Sequence, residues 1–156
     1  MWQRIQTIFL IIVMVSMMGT IFFPIWTYQH GTENSHELYA LHYTAKDGGV
    51  ATPQYFPYSL TAILAVAAAT MAIISIGKFR NRLLQRKLGA LNSLFMTGTV
   101  ASAVYFITQL SRTHSMAGQE YGLGLYLPVV AVVANFVANR FIMRDEKIVR
   151  DSDRLR

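Results

Sequence analysis

The sequence predicts an all-α membrane protein, an antiparallel four-helix transmembrane bundle with a small extracytoplasmic cap read as a short β-hairpin. Three observations carry that prediction. Four apolar runs each approach the roughly 20 residues that a helix needs to cross a bilayer. Charged residues, 14% of the 156, are gathered into short segments instead of recurring at every helical turn. Lys78, Arg80, Arg82, Arg86 and Lys87 crowd the stretch 78–87, which has no carboxylate. Lys and Arg accumulate in short cytoplasmic loops, so this stretch orients the rest.

The first span covers residues 5–23, relieved only by Gln6, Thr7, Ser16 and Thr20. No small-residue cleavage site follows it, since the chain leaves through Phe22-Phe23-Pro24-Ile25-Trp26, so it reads as an uncleaved span and not a signal peptide. Trp2 and Trp26 bracket it as interfacial aromatics. An outer loop, 24–57, carries Glu33, Glu37 and Asp47 against the single cation Lys46. Its turn-rich pieces, 31–35 and 46–49, flank an aromatic and apolar stretch at 37–44. A strand is expected there and another at 25–30, together forming the cap.

The second span, 58–77, opens after Pro57, a residue suited to a first helical turn. At 100° per residue Ala62, Ala65, Ala68, Ala69 and Ala72 share a face with Thr61 and Ser75, opposite Ile63, Met71 and Ile74. Small residues let helices approach where lipid gives no hydrophobic drive for association, so the alanine face is expected inside. A basic cytoplasmic hairpin, 78–89, leads to the third span, 90–110. There Ser93, Thr97 and Ala101 share one arc, with Gly98 and Ser102 beside it, and Phe95, Met96, Phe106, Ile107 and Leu110 point away. A short outside loop, 111–122, precedes the fourth span, 124–143. In that span Ala131, Ala134, Asn135 and Ala138 share a face with Asn139 at its edge. The tail, 144–156, is dense in both charge signs, and Glu146 and Arg150 have the i,i+4 order of a helix continuing into water.

This arrangement puts 12 of the 14 cations and 4 of the 8 carboxylates on the cytoplasmic side. It makes the chain a single multi-pass domain of the inner membrane with both termini cytoplasmic. Apolar residues at 53% and a mean hydropathy of +0.34 fit that reading. The net charge of +6 sits beside the spans, where anionic headgroups are the nearest partner, so nucleic acid is not expected. With no cysteine, disulfides, thiol catalysis and cysteine-ligated metal are excluded.

The ends of the chain and the approach to its last span carry a resemblance. Met1-Trp2-Gln3-Arg4-Ile5-Gln6-Thr7, Tyr121-Gly122-Leu123-Gly124-Leu125-Tyr126-Leu127-Pro128 and the closing Asp145-Glu146-Lys147-Ile148-Val149-Arg150-Asp151-Ser152-Asp153-Arg154-Leu155-Arg156 resemble the bacterial domain-of-unknown-function family 4293. The resemblance implies a small four-helix protein of a bacterial inner membrane. It brings no activity, cofactor or catalytic residue.

Candidate chemistry is sparse. His30, His36 and His42 lie six apart in the outer loop, near Glu33 and Glu37, and imidazole with carboxylate suits zinc. Their spacing matches no compact ligand motif, so exposed or structural histidines are the simpler reading and no metal is assigned. No span has an Asp, Glu, Lys or His near its centre, where proton or ion pathways place them. Asn135, Asn139, Ser93 and Thr97 are expected to make interhelical polar contacts. Lys78, Arg80, Arg82, Arg86, Lys87 and Arg140 are expected on anionic lipid headgroups. His114 among Ser111, Thr113 and Ser115 lacks a nucleophile turn, and Gly122-x-Gly124 lacks a dinucleotide fingerprint and reads as a flexible lead into the fourth span. The expected role is a non-enzymatic accessory or scaffolding subunit without cofactor. Its expected partners are membrane lipids and either another membrane protein or further copies of itself. The alternative is a small transporter or lipid-binding protein.

Overall fold

The computed structural model describes residues 3–30, 34–78, 81–113 and 119–153. Its elements run α1 (Gln3–Phe22), β1 (Trp26–His30), β2 (Asn34–Leu38), β3 (Tyr43–Asp47), β4 (Val50–Gln54), α2 (Ser59–Gly77), α3 (Arg82–Thr113), β5 (Gln119–Tyr121) and α4 (Leu123–Asp153). Each helix contains a stretch long and apolar enough to cross a membrane: Ile5–Phe22, Ser59–Gly77, Leu83–Arg112 and Leu123–Arg144.

The all-α class is overturned. The segments joining the helices at one end form a five-stranded antiparallel sheet in the order β4-β3-β2-β1-β5. An isolated hairpin is marginal in water, which is the physical reason a two-strand cap gives way to a larger sheet seated on the helix ends. The strand expected over 37–44 is two strands. The chain reverses at residues 39–42, where the Tyr39 N–H donates to the His42 carbonyl at 2.9 Å. β3 and β4 are joined through Gly48 and Gly49 at φ 58° and 85°, the left-handed pair that a type I′ hairpin turn requires. The Gly48 N–H donates to Asn34 Oδ1 at 3.1 Å and ties this turn to β2. β5 comes from the approach to α4 and pairs with β1, setting Tyr121 opposite Trp26 and Gln119 opposite Tyr28.

Beneath the sheet the helices form a ring in which α1 packs on α2 and α4, and α3 packs on the same two. The face of α2 expected from its alanines is the buried one: Thr61, Ala62, Ala65, Ala68, Ala69, Ala72 and Ser75. On α4 the buried arc runs through Ala131, Ala134, Asn135, Ala138 and Ile142. α3 turns differently from expectation. Thr97 and Ala101 are exposed, and Asn92, Met96, Thr99, Ala103, Phe106, Ile107 and Leu110 are buried. Trp26, expected at a lipid interface, is completely buried. It belongs to a core between sheet and helix ends with Ile25, Tyr28, Leu38, Ala62, Ala103 and Phe106. A second core, in mid-bundle, joins Val13, Met17, Ala65, Ala68, Ala72, Met96 and Ala131.

At the opposite end α2 runs to Gly77 and α3 begins at Arg82. Asn81 Oδ1 accepts the Leu84 N–H at 3.0 Å, a side-chain N-cap. The basic residues from 82 to 87 therefore form the first turns of α3 and not a loop. At 32 residues and about 1.5 Å per residue, α3 is roughly 48 Å long. α4 likewise continues to Asp153, the helical tail expected of that segment.

Candidate functional site: a carboxamide cluster at the basic end

Among the described residues, the carboxamide side chains buried in the bundle all lie in its basic half. Gln6 on α1, Ser75 on α2, Gln85 and Asn92 on α3 and Asn135 on α4 are all at most 3% exposed. The antiparallel ring places the start of α1 and α3 beside the end of α2 and α4, which brings these five residues to one end. Gln85, Gly89 and Asn92 follow at i, i+4 and i+7 on one face of α3. Asn135 Nδ2 donates to the Gly89 carbonyl at 3.1 Å and to Ser93 Oγ at 2.9 Å. Ser93 Oγ itself donates to the Gly89 carbonyl at 3.0 Å. Gln85 Nε2 donates to the Ser75 carbonyl at 2.9 Å, one of the last carbonyls of α2, which have no partner within their own helix. Asn139, at the edge of the α4 arc, lies against Gly89 so closely that a Cβ there would sit 2.8 Å from its Cγ.

Of the residues expected to make interhelical polar contacts, Asn135 and Ser93 bond each other, Asn139 packs on Gly89, and Thr97 faces outward. Gln85 and Asn92 were not singled out by sequence. The available signal was their spacing with Gly89, which continues into Met96. After those bonds are counted, Gln85 Oε1, Asn135 Oδ1, Asn139 Oδ1, Ser75 Oγ and both polar atoms of Asn92 remain buried with no partner. Each unpaired buried group costs on the order of 1–3 kcal/mol. Several together are comparable with the whole stability of a small domain, about 5–15 kcal/mol.

The histidines of the sheet are held by aromatic rings. His36 stacks between Tyr28 and Tyr43 at 5.8 and 6.0 Å, and its Nδ1 lies 2.8 Å from the Tyr43 hydroxyl. His42 stacks on Tyr39 at 5.1 Å and meets Tyr55 at 5.6 Å. Glu37 accepts a hydrogen bond from the Tyr39 hydroxyl at 3.0 Å. Among the described residues no three His, Asp or Glu side chains come together in a way that could hold a metal ion. The His30 side chain, Glu33, His114 and Ser115 lie outside the described residues, as do Trp2, Arg80 and the side chains of Arg82 and Thr113. Ser111 Oγ donates to Gln119 Oε1 at 3.1 Å, a contact between the end of α3 and β5.

Burial, with the neighbouring Tyr58 and Asp47, pushes the Tyr43 hydroxyl from 10.0 up to about 12. The unfolded chain therefore releases this proton first as pH rises. Stability contributed by neutral Tyr43 is complete below pH 10 and is lost progressively towards pH 12. An alkaline titration followed by tyrosinate absorbance and circular dichroism should show sheet loss within that window. Tyr43→Phe should remove the late-titrating component. An unchanged titration curve in Tyr43→Phe would refute the assignment.

Lys78, Arg86, Lys87 and Arg140 are exposed around the basic end. Above Arg140 an apolar groove of about 340 Å³ runs between α1 and α4, lined by Phe9, Ile12, Val129, Val130, Val133, Ala134 and Val137. A family model described as a domain of unknown function (DUF4293) matches residues 2–155. No curated protein matches the chain.

Proposed function

The chain belongs to the DUF4293 family, and we propose that it is a non-enzymatic accessory or scaffolding subunit of a larger assembly in the bacterial inner membrane. Both termini face the cytoplasm in this reading, and the sheet stands on the far side. The observation that carries it is the form of the sheet. β4 is exposed along its whole length and leads into Tyr55 and Phe56, which are 55% and 82% exposed. Pro53 within β4 removes a backbone donor, so a further strand adds poorly to this edge and side-chain docking is the mode it suits. The rest of the sheet is anchored on the bundle: the Ala62 N–H of α2 donates to the Ala40 carbonyl at 3.1 Å, and Trp26 and Leu38 pack on Ala62, Ala103 and Phe106 of the helix ends. An anchored surface ending in exposed aromatics is suited to engaging another membrane protein, since aromatic anchors dominate interface energetics.

The distribution of polarity supports this reading over transport. The buried carboxamides stop at mid-bundle among the described residues, and the core beneath the sheet is built on Trp26, Leu38, Phe106 and Leu110, with only the hydroxyls of Ser16, Thr20, Thr61 and Thr99 as buried polar groups in that half. Lipid binding is the second reading. The α1/α4 groove favours it, because Val133, Val137 and Arg140 lie on one strip of α4 and offer an acyl-chain surface leading to a cation.

Purification in mild detergent followed by mass spectrometry should recover the chain with a stoichiometric membrane-protein partner. Phe56→Ala should weaken that association by about tenfold or more, the effect of a truncated aromatic anchor. A monodisperse protein recovered alone would overturn the scaffolding reading. Retained anionic lipid in that same sample would turn the balance to the second.

A further inference from the structure

The hydrogen bonds at the basic end fix which atoms are left over. A backbone carbonyl only accepts, so the bonds from Asn135 Nδ2 to Gly89 and from Gln85 Nε2 to Ser75 set the orientation of both carboxamides. Asn135 Oδ1 and Gln85 Oε1 are then necessarily the unpartnered ends, both in residues 1% exposed. Asn139 Oδ1, Asn92 Oδ1 and Ser75 Oγ join them, and Asn92 Nδ2 is the one nitrogen in the set. A site made chiefly of acceptors calls for a ligand that donates hydrogen bonds or carries positive charge.

Charge decides between those two. Among the described side chains, the charged groups around this end are Lys78, Arg86, Lys87, Arg140 and Arg144, all cationic, and none of the four helices contains a carboxylate before Asp145. A metal cation would enter a predominantly positive field, and none of the side chains holding the site carries a negative charge to offset its desolvation. A neutral donor meets no such cost. Buried water supplies two donors, needs two to four polar partners and is a regular part of protein interiors.

We propose that the basic half of the bundle encloses a resident water cluster held by Ser75, Gln85, Asn92, Asn135 and Asn139. The cluster bridges α2, α3 and α4 and ends where Met17 and Met96, both completely buried, begin the dry mid-bundle core. It differs from direct side-chain contact between helices in that the three helices communicate through exchangeable water. The basic end can therefore be loosened without separating the sheet end.

The test is water-edited solid-state NMR on the full chain in phosphatidylcholine–phosphatidylglycerol bilayers, with Asn and Gln labelled in their side-chain amides. The amides of Gln85, Asn92 and Asn135 should receive water magnetisation at a rate comparable with exposed Gln54, while the methyl groups of Met17 and Met96 should not. Absence of transfer to the three amides would overturn the proposal. So would a shift of their resonances on exchanging sodium for potassium, which would make the occupant a cation. Stability gives an independent reading. In a hydrated cluster Asn92→Leu strands the remaining waters and lowers the unfolding temperature, whereas in a dry interior it removes two unpaired atoms and raises it. The NMR measurement on the unaltered chain decides the matter whether or not that variant folds.

Discussion

Trp26→Ala should cost about 3–5 kcal/mol, the range for truncating a fully buried large aromatic. Trp26 is completely buried and sits where three strands meet, paired with Leu38 on one side and Tyr121 on the other. Its ring stacks on Tyr28 at 6.1 Å, and Nε1 reaches Gln119 Oε1 at 3.4 Å. Truncation thus opens a cavity between sheet and bundle and removes the side chain that holds β5 against β1. The expected result is a lower unfolding temperature in detergent, measured by circular dichroism, with the sheet signal lost before the helical one. Trp26→Phe keeps most of the apolar volume and should lose much less. If Trp26→Ala unfolded with the helices and within about 0.5 kcal/mol of the parent, typical of a surface change, the sheet could not depend on this ring.

The same residue marks where sequence reading fails. Trp26 follows an apolar span, and an aromatic belt is the ordinary expectation there. What buries it instead is a core assembled from Leu38, Ala62, Ala103 and Phe106, residues as far as eighty positions along the chain, which leave no local periodicity to detect. β4 is silent for a different reason: it is exposed on both faces, so no alternation of polar and apolar residues marks it, and Pro53 argues against a strand. The turn-rich piece at 46–49 is a more specific signal than its composition alone. Asp47-Gly48-Gly49-Val50 is the sequence of a two-residue hairpin turn, and it sits between strands that are there.

Among the helices, legibility depended on side-chain size. A helix in lipid is apolar on every side, so hydrophobic contrast does not reveal its inner face, and only small residues mark close approach. On α2 the alanines fall in a single arc, and the buried face could be named residue by residue. On α3 small residues occur all round, at Gly89, Ala90, Ser93, Thr97, Gly98, Ala101 and Ala103, so the Ser93–Thr97–Ala101 arc is no more distinctive than its neighbours. The arc that is buried contains Gln85 and Asn92, polar residues whose cost is acceptable only if something pairs with them. Pairing is a property of the assembled bundle and has no trace in local sequence.

Gly124→Ala should be strongly disruptive for a single-methyl change. Its added Cβ would fall within contact distance of the Phe23 carbonyl, 2.8 Å from the Pro24 carbonyl oxygen and 3.0 Å from Ile25 Cγ1. The two oxygens are backbone atoms, so no rotamer change relieves the clash. The first turn of α4 would have to move off the chain leaving α1. That would stretch the bonds from the Gly124 N–H to the Pro24 carbonyl, 2.9 Å, and from the Gly122 N–H to the Ile25 carbonyl, 3.1 Å. Gly122 meets the same Pro24 carbonyl, so the pair is a close-packed seam and not the flexible lead that its composition suggests. Overpacking of this kind costs about 1–3 kcal/mol and more where backbone must yield. Gly77→Ala is the matched control: nothing lies within 4 Å of its Cβ position, and a helical Gly→Ala change at an open site gains a few tenths to about 1 kcal/mol. Unfolding temperatures of the two variants should therefore move in opposite directions. Equal stability of Gly124→Ala and Gly77→Ala would mean that α4 does not press on the end of α1, and the seating of the sheet on the bundle would need another explanation.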